Sequence, residues 1–184
     1  MDVIYYIGVA VILAIGYGLV SIYNDFKKYK NAAEATIGQI KVAMKKRLDM
    51  IEQLLGAVRG YVKHERELFE NIAKLRSGID SADSGKLGDI EQQSRTLTGS
   101  LLAVAEAYPS LRAVETTQKL MEAVIDVEDE IARQRYTFNN IVQQYNTMQD
   151  TIPSSLLAGA AGASKMGYLE FEEKIKNPPD ITVN

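Results

Sequence analysis

Residues 37–75, IGQIKVAMKKRLDMIEQLLGAVRGYVKHERELFENIAKL, contain no proline and repeat apolar side chains at steps of three and four. The repeated positions are Ile37, Ile40, Met44, Ile51, Leu54, Val58, Tyr61, Leu68, Ile72 and Leu75. Such steps follow the α-helical period and place these side chains along one face. The stretch therefore predicts one long amphipathic helix, helix A, within the proline-free range 24–76.

Upstream of helix A, the chain from Val3 to Ile22 is uninterruptedly apolar and is followed by Lys27, Lys28 and Lys30. A helix of this length covers about 30 Å, which is enough to cross the hydrocarbon core of a bilayer once. No basic segment precedes it and no small-residue cleavage motif follows it, so an uncleaved anchor is expected rather than a removed signal peptide. Residues 1–23 are predicted to form a transmembrane helix.

The distribution of basic residues predicts the orientation of this helix. All 21 lysines and arginines lie on its C-terminal side, and basic residues close to a span tend to stay in the cytoplasm. The sequence therefore predicts a single-pass protein of the cell membrane, with its N-terminus outside and its bulk in the cytoplasm.

Composition excludes several classes of function. The 24 acidic residues slightly outnumber the basic ones, so no nucleic-acid partner is expected. The absence of cysteine excludes disulfides, thiol nucleophiles and cysteine-ligated metals. Only four prolines occur, three of them after Thr151, which favours helices almost throughout.

Two further helices are predicted downstream. Residues 77–86 are predicted to be a loop with capping residues. Helix B follows, with a seam at Leu87, Ile90, Ser94, Leu97, Leu101, Val104 and Tyr108. A break at Tyr108-Pro109 separates it from helix C, which is expected to run to about Asp150 before Pro153. A short amphipathic segment, 168–175, and an extended tail, 177–184, complete the chain.

The lengths of these helices suggest a surface that lacks intramolecular cover. Helix A would span about 80 Å and helix B about 35 Å. Pairing B with the distal half of A leaves the proximal seam to be covered by helix C, by segment 168–175, by another protein or by a second copy. We expect a homo-oligomer or a protein partner, with a candidate self-association surface formed by Ile37, Ile40, Met44 and Ile51.

Charged and amide side chains interrupt the apolar faces, and we predict a structural polar seam that comprises Arg47, Glu65, Glu128, Arg135 and Asn139. Glu128 and Arg135 are about 10 Å apart along one helix, too far for a direct bond. Each needs a partner on another helix because an unpaired buried charge is costly. For Arg135 the expected partners are the acidic residues Asp80, Asp83, Glu170, Glu172 and Glu173. The seam either fixes helix register or forms a polar binding pocket, and register is favoured.

No catalytic or cofactor chemistry is predicted. His64 is the only histidine and does not belong to an H-E-x-x-H motif, so it is expected to be a surface or interhelix hydrogen-bonding residue rather than a metal ligand. No nucleophile with an attendant base, glycine-rich phosphate loop or carboxylate tetrad occurs. We predict no catalytic residues, no cofactor and no metal site.

Several blocks of residues resemble the LemA family. They are Arg47, Asp49, Ile51, Leu54, Val58, Gly60-Tyr61 and His64-Glu65, then Tyr108-Pro109 and Leu111, then Glu128, Ile131-Ala132, Arg135, Phe138-Asn139, Tyr145-Asn146 and Pro153. The resemblance covers essentially the whole chain and implies a membrane-tethered four-helix bundle without an established molecular activity. Family members typically carry Ile-Pro-Asn-Leu where this chain has Ile51-Glu52-Gln53-Leu54, so helix A is expected to be straighter here.

These observations predict an all-α fold in which the N-terminal transmembrane helix precedes an antiparallel four-helix bundle with long helices. The predicted divisions are an anchor at 1–23, a LemA-like bundle at 24–176 and a tail at 177–184. The leading functional hypothesis is a membrane-anchored, non-enzymatic interaction or scaffold protein. The alternative is a ligand- or lipid-sensing bundle that uses polar sites between helices, which a stoichiometric co-purifying small molecule would favour.

Overall fold

The structure is a computed structural model that describes residues 2–62, 65–112 and 114–169. Every regular element in these ranges is a helix, which confirms the all-α prediction. The helices are α1 (Asp2–Ala57), α2 (Glu65–Ser81), α3 (Ser84–Ala107), α4 (Pro109–Arg112), α5 (Glu115–Asp150) and α6 (Ser155–Ala161). The described residues divide into two compact units, one within residues 2–38 and 136–167, the other within residues 39–135 together with 168 and 169.

Helix α1 joins the predicted anchor to the first part of helix A without interruption. It is long and apolar enough to cross a membrane, and none of its most apolar window is buried against the rest of the chain. Tyr5 and Tyr6 lie near its N-terminus, while Tyr23 follows the apolar stretch. Tyrosines at both ends of an apolar helix are typical of membrane–water interfaces.

Helix A is not one helix, and that part of the prediction is wrong. Helix α1 passes through Ile51-Glu52-Gln53-Leu54 without a break, as expected, but ends at Ala57. A turn follows in which Gly60 has φ 91°, a left-handed conformation that glycine adopts without steric cost. Helix α2 then starts at Glu65.

Helix α2 returns along the distal part of α1. Arg76 Nη2 donates to Asp49 Oδ1 at 2.5 Å and to Glu52 Oε2 at 2.9 Å. The hydrogen bond to Glu52, with further contributions from Asp49, raises the pKa of Arg76 above its ordinary value. One helical turn further on, the Asp80 carboxylate pairs with Lys45. These contacts stabilise a hairpin of α1 and α2 in the region where one continuous helix was predicted.

The proposed self-association surface is largely buried within the chain. Ile40 and Met44 are 1% exposed, Ile51 is fully buried, and Ile37 is half-buried. The structure thus favours the alternative in which the chain itself covers this seam. Helix α2 folds back along α1 instead of extending it, so the length of about 80 Å expected for helix A does not apply.

The α2–α3 connection is shorter than the predicted loop at 77–86, because α2 runs to Ser81 and α3 begins at Ser84. Asp83 is the N-cap of α3, and its carboxylate accepts a hydrogen bond from the Lys86 amide at 2.9 Å. This satisfies one of the amides that a helix leaves unpaired at its first turn. The expectation that this region carries capping residues is confirmed.

Replacing the cap tests its contribution. We expect Asp83→Ala to lower the free energy of unfolding by about 1 kcal/mol because the Lys86 amide loses its acceptor. Urea titration of the helical circular dichroism signal measures this loss. Asp89→Ala, which removes an exposed carboxylate on the same helix, is the control and should stay within about 0.5 kcal/mol of the parent.

Helices α3 and α5 follow the prediction closely. Helix α3 ends at Ala107, and Tyr108 has extended backbone angles before Pro109 starts the short α4. Helix α5 runs to Asp150, and the Ile152–Pro153 peptide bond in the turn that follows is cis. Helix α6, whose sequence is rich in small residues, was not predicted.

In the unit formed by residues 1–38 and 136–167, α1 packs against the end of α5 and against α6. The rings of Phe26 and Tyr145 meet edge to face with centroids 5.8 Å apart, and Ala161 belongs to the same buried cluster. Lys27 Nζ donates to the carbonyl oxygen of Ala161 at 3.1 Å. A lysine at this position satisfies a helix C-terminal carbonyl and complements the helix dipole.

Asn146 secures the segment that follows α6. Its Nδ2 donates to the Met166 carbonyl and its Oδ1 accepts from the Met166 amide, both at 2.9 Å. The predicted segment 168–175 lies mostly outside the described residues, as does the tail at 177–184, and the described residues 168 and 169 are not helical.

Asn146→Leu should release this segment without unfolding the protein. Both polar groups of Met166 lose their partner, so we expect the local opening free energy to fall by about 1–3 kcal/mol. Hydrogen exchange of the Met166 amide measures this as faster exchange. Gln143→Leu, at an exposed position one turn away, should leave that amide unchanged.

Candidate functional site

A cluster of charged side chains is buried inside the unit that contains residues 39–135. Helix α1 contributes Arg47, α3 contributes Glu91 and Ser94, and α5 contributes Arg135. All four residues are less than 9% exposed. Three helices therefore meet at a polar site within an otherwise apolar interior.

Arg47 lies on the apolar face of α1 and has no exposed surface. It is one turn beyond Met44 and one turn before Ile51, so the helical period that buries those residues also buries the guanidinium. Its Nε donates to Ser94 Oγ at 3.1 Å, and its Nη2 donates to the Glu91 carbonyl oxygen at 3.4 Å. The remaining nitrogen, Nη1, is buried without a hydrogen-bond acceptor.

Arg135 and Glu91 form an ion pair between α5 and α3. Arg135 Nη1 lies 2.6 Å from Glu91 Oε1, and the two side chains are only 8% and 9% exposed. Charge-assisted hydrogen bonds of this kind are the strong ones, and removing one partner strands the other charge in a poorly solvated place. Glu91 therefore joins both arginines, Arg135 through its carboxylate and Arg47 through its backbone carbonyl.

A second ion pair lies at the rim of this cluster. Arg95 Nε is 2.6 Å from Glu128 Oε1, with side chains 39% and 31% exposed. Like the buried pair, it connects α3 to α5. Further out, Lys46 on α1 lies 3.3 Å from Glu130 on α5, and both side chains are well exposed. The charges thus extend from a buried centre to the surface.

The electrostatics of the centre are dominated by burial. Desolvation lowers the pKa of Arg47 below its ordinary value, although the negative charges of Glu91 and Glu128 partly oppose this. Arg95 and Arg135 lower it further. A guanidinium still stays protonated in proteins, so among the described residues the Glu91 carboxylate lies between two buried guanidinium groups, with the charge of Glu128 also acting on Arg47.

This arrangement is suited to fixing the positions of helices. An arginine cannot act as a general base. The described hydrogen bonds to Glu91 come from Arg47 and Arg135, to its carbonyl and its carboxylate. Within the described ranges, no group of three or more His, Cys, Asp or Glu side chains could hold a metal ion. The cluster offers polar contacts between helices, and one buried donor on Arg47 remains available.

The structure unites three of the five residues of the predicted polar seam. Arg47, Glu128 and Arg135 lie in or beside the cluster. Glu65 does not, because it begins α2 and pairs with Arg59 at 2.9 Å. Asn139 is half-buried in the other unit. His64 lies outside the described residues.

The predicted partners of Arg135 are wrong where the structure describes them. Asp80 pairs with Lys45, and Asp83 caps α3; Glu170, Glu172 and Glu173 are outside the described residues. Among the described residues, Arg135 pairs with Glu91, which the sequence analysis did not identify. The available signal was an alternative seam with steps of four and three, comprising Leu87, Glu91, Ser94, Thr98, Leu101 and Ala105, all of them buried.

This chain is similar in sequence to several bacterial proteins. Magnetosome protein MamQ 1 of Paramagnetospirillum magneticum is 23% identical over 179 residues, and the alignment covers 83% of this chain and 65% of that protein. Magnetosome protein MamQ of Magnetospirillum gryphiswaldense is 24% identical with the same coverage. Protein LemA of Metamycoplasma hominis is 26% identical over 126 residues, which are 67% of this chain and 58% of that protein.

The chain thus spans less than two thirds of the length of these curated relatives. A family model described as LemA family matches residues 36–183. The match begins after the apolar stretch of α1 and includes every residue of the buried cluster. Because it covers most of the sequence, the chain belongs to the LemA family.

Proposed function

We propose that this protein is a membrane-anchored, non-enzymatic module that holds a helical bundle at the cell membrane and binds another protein there. The observation that carries the proposal is the continuity of α1. Its apolar first part is exposed, while its later part is a core helix that contains Arg47 and Ile51. The same helix therefore serves as anchor and as part of the fold.

In this proposal the protein crosses the membrane once, with its N-terminus outside and the bulk in the cytoplasm. Lys27, Lys28 and Lys30 follow the apolar stretch within two turns, as expected on the cytoplasmic side of a span. In the unit that contains residues 39–135, the proposed bundle consists of α1, α2, α3 and α5. The return of α2 along α1 and the links from α3 to α5 support an antiparallel arrangement.

Single cysteines test the orientation, since the chain has none of its own. We expect Asp2→Cys to react with an impermeant maleimide in sealed cells, because it precedes the span. Asp89→Cys, exposed on α3, should react only after permeabilisation. Gel-shift labelling measures both, and the reverse pattern would place the bundle outside.

The partner surface in this proposal includes an exposed aromatic pair. The rings of Tyr61 and Tyr108 are 4.9 Å apart, and the two residues are 46% and 42% exposed. Tyrosine is enriched in protein interfaces because it buries a large apolar area and retains a polar tip. Two relatives are named as magnetosome proteins, and we propose that this chain likewise serves a membrane-associated assembly.

Photocrosslinking in the native host tests the scaffold proposal. Benzoylphenylalanine at Tyr61 or Tyr108 of the full-length protein should give a discrete crosslinked protein on irradiation. The same substitution at Tyr136, an exposed tyrosine in the other unit, is the matched control and should not. Equal crosslinking at all three positions, or none at any, would contradict a partner surface at the aromatic pair.

The second candidate is a bundle that senses an anionic ligand between its helices. The buried Nη1 of Arg47, which has no acceptor among the described residues, favours it. Native mass spectrometry should then show a bound species at one per chain that Arg47→Met loses. A mass equal to that of the bare polypeptide would reject this candidate and leave the scaffold function.

A further inference from the structure

The turn between α5 and α6 exposes two large apolar side chains. Ile152 is 82% exposed and Leu156 is 77% exposed, more than any other large hydrophobic residue that the structure describes beyond the apolar part of α1. A single exposed apolar side chain is common on a protein surface, but two that are this exposed within five residues form a patch of the kind that marks a membrane or partner contact. They lie four residues apart on either side of Pro153 and Ser154.

The position of this turn relates it to the end of the apolar stretch. Pro153 and Ser154 line a groove of about 650 Å³ together with Ile22, Asp25 and Tyr29 of α1. Ile22 is the last residue of the apolar stretch and also packs against the Phe26 cluster. The turn therefore lies beside the point where α1 would leave the hydrocarbon core.

The polar groups around the turn suit a lipid headgroup region. Lys27 lies 5.3 Å from the centroid of the Tyr23 ring, and Lys165 pairs with Asp150 at 2.8 Å. Lys28 and Lys30 are exposed on the same part of α1. Tyrosine and lysine are the residues that favour the boundary between acyl chains and water, and the cations attract anionic lipids.

The backbone of the turn is also compatible with partial insertion. The amide of Ser155 donates to the Thr151 carbonyl at 2.7 Å, and the amides of Leu156 and Leu157 donate to the carbonyls of Pro153 and Ser154 at 3.2 and 3.0 Å. Internally paired amides are what a nonpolar environment requires, because unsatisfied ones are costly there. The apolar side chains can enter lipid without stranding these donors.

We propose that the α5–α6 turn is a second membrane contact, in which Ile152 and Leu156 insert into the acyl–headgroup boundary of the bilayer that anchors α1. This inference rests on the membrane anchoring in the proposed function. It identifies a second part of the chain, beyond α1, that contacts the lipid. The occupant is lipid rather than protein because Pro153 and Ser154, between the two apolar side chains, share a groove with Ile22 at the end of the apolar stretch, and Lys27 bonds to the end of α6.

Single tryptophans test the contact directly, since the chain contains none. Full-length Ile152→Trp and Leu156→Trp proteins are reconstituted in vesicles of mixed neutral and anionic phospholipids. We expect blue-shifted emission and strong quenching by lipids brominated near the headgroup end of the acyl chain, with weaker quenching by lipids brominated near the chain terminus. Ile125→Trp, which is exposed in the other unit, should emit as in water and resist both lipids.

A tryptophan in the anchor distinguishes failure of the membrane anchor from failure of the second membrane contact. Leu13→Trp, near the middle of the apolar stretch, should be quenched best by lipids brominated near the chain terminus. If it is quenched while positions 152 and 156 emit as in water, the anchor stands and the second contact is overturned. Blue-shifted but unquenched emission at 152 and 156 overturns it in favour of a protein contact. If Leu13→Trp itself escapes quenching, the membrane proposal as a whole fails.

Discussion

Replacing Glu91 by alanine should destabilise the protein by about 3–5 kcal/mol, the cost of breaking a buried ion pair by removing one partner. The change removes the buried carboxylate that lies 2.6 Å from Arg135. It also removes the negative charge that offsets the desolvation of Arg47. Since marginal stability is the rule for single domains, a loss of this size removes a large part of the total. Urea titration followed by circular dichroism of detergent-solubilised protein measures it.

Glu130→Ala is the matched control for this prediction. It also deletes a carboxylate paired with a cation of α1, but the pair is well exposed and 3.3 Å apart. Exposed pairs contribute little, so the loss should stay below about 1 kcal/mol. Similar small effects of both substitutions would show that the cluster does not hold the helices in place.

A double substitution separates the charge effect from the loss of packing. Glu91→Ala and Arg135→Ala together should cost less than the sum of the two single changes, because the two side chains contact each other and each single change removes the same ion pair. Replacing Arg47, Glu91 and Arg135 together with apolar residues of similar volume is expected to be neutral or stabilising. Such a triple variant can be as stable as the parent and still give different photocrosslinked proteins. That result would mean that the cluster sets the relative positions of the helices rather than their stability.

Deleting residues 2–20 should move the protein from the membrane to the soluble fraction almost completely. The deletion removes nearly all of the exposed apolar part of α1. It retains Ile22 and Phe26, which pack against α5 and α6, so the remaining chain keeps its helices. An alkaline carbonate wash followed by immunoblotting measures the distribution, and circular dichroism checks the fold.

The control for the deletion is replacement of the same residues by an unrelated leucine- and alanine-rich sequence of equal length. Membrane attachment should return, because spanning depends on length and hydrophobicity rather than on particular side chains. Extraction of the intact protein by carbonate would contradict the anchor directly.

Helix ends were predictable from the sequence where a proline marks them. Pro109 and Pro153 lie beside the breaks at both ends of the α4–α5 region, because proline cannot continue a preceding helix. The break after Ala57 was missed, since the apolar steps of three and four continue through it. Periodicity alone cannot distinguish one long helix from two that share a buried face, and only the positive φ of Gly60 marks the difference.

The buried cluster was predictable in part for a related reason. Arg47 and Arg135 stand out as charges on otherwise apolar faces, so their burial could be inferred from spacing. Glu91 could not be identified as a partner of these arginines, because the rotation of α3 about its axis decides whether Ile90 or Glu91 points inward. The structure buries Glu91 and leaves Ile90 half-buried, and composition gave no reason to prefer the charged neighbour.

The hydrogen bonds of Asn146 also protect the protein from misassembly. An irregular segment that exposes its amides and carbonyls can be captured as an extra strand by another chain, which is how open sheet edges aggregate. At Met166 both backbone groups are already bound by one side-chain amide, which imitates the pairing that an adjacent strand would offer. These two backbone groups are therefore unavailable for strand addition, so the segment after the last described helix is protected from such pairing at this residue.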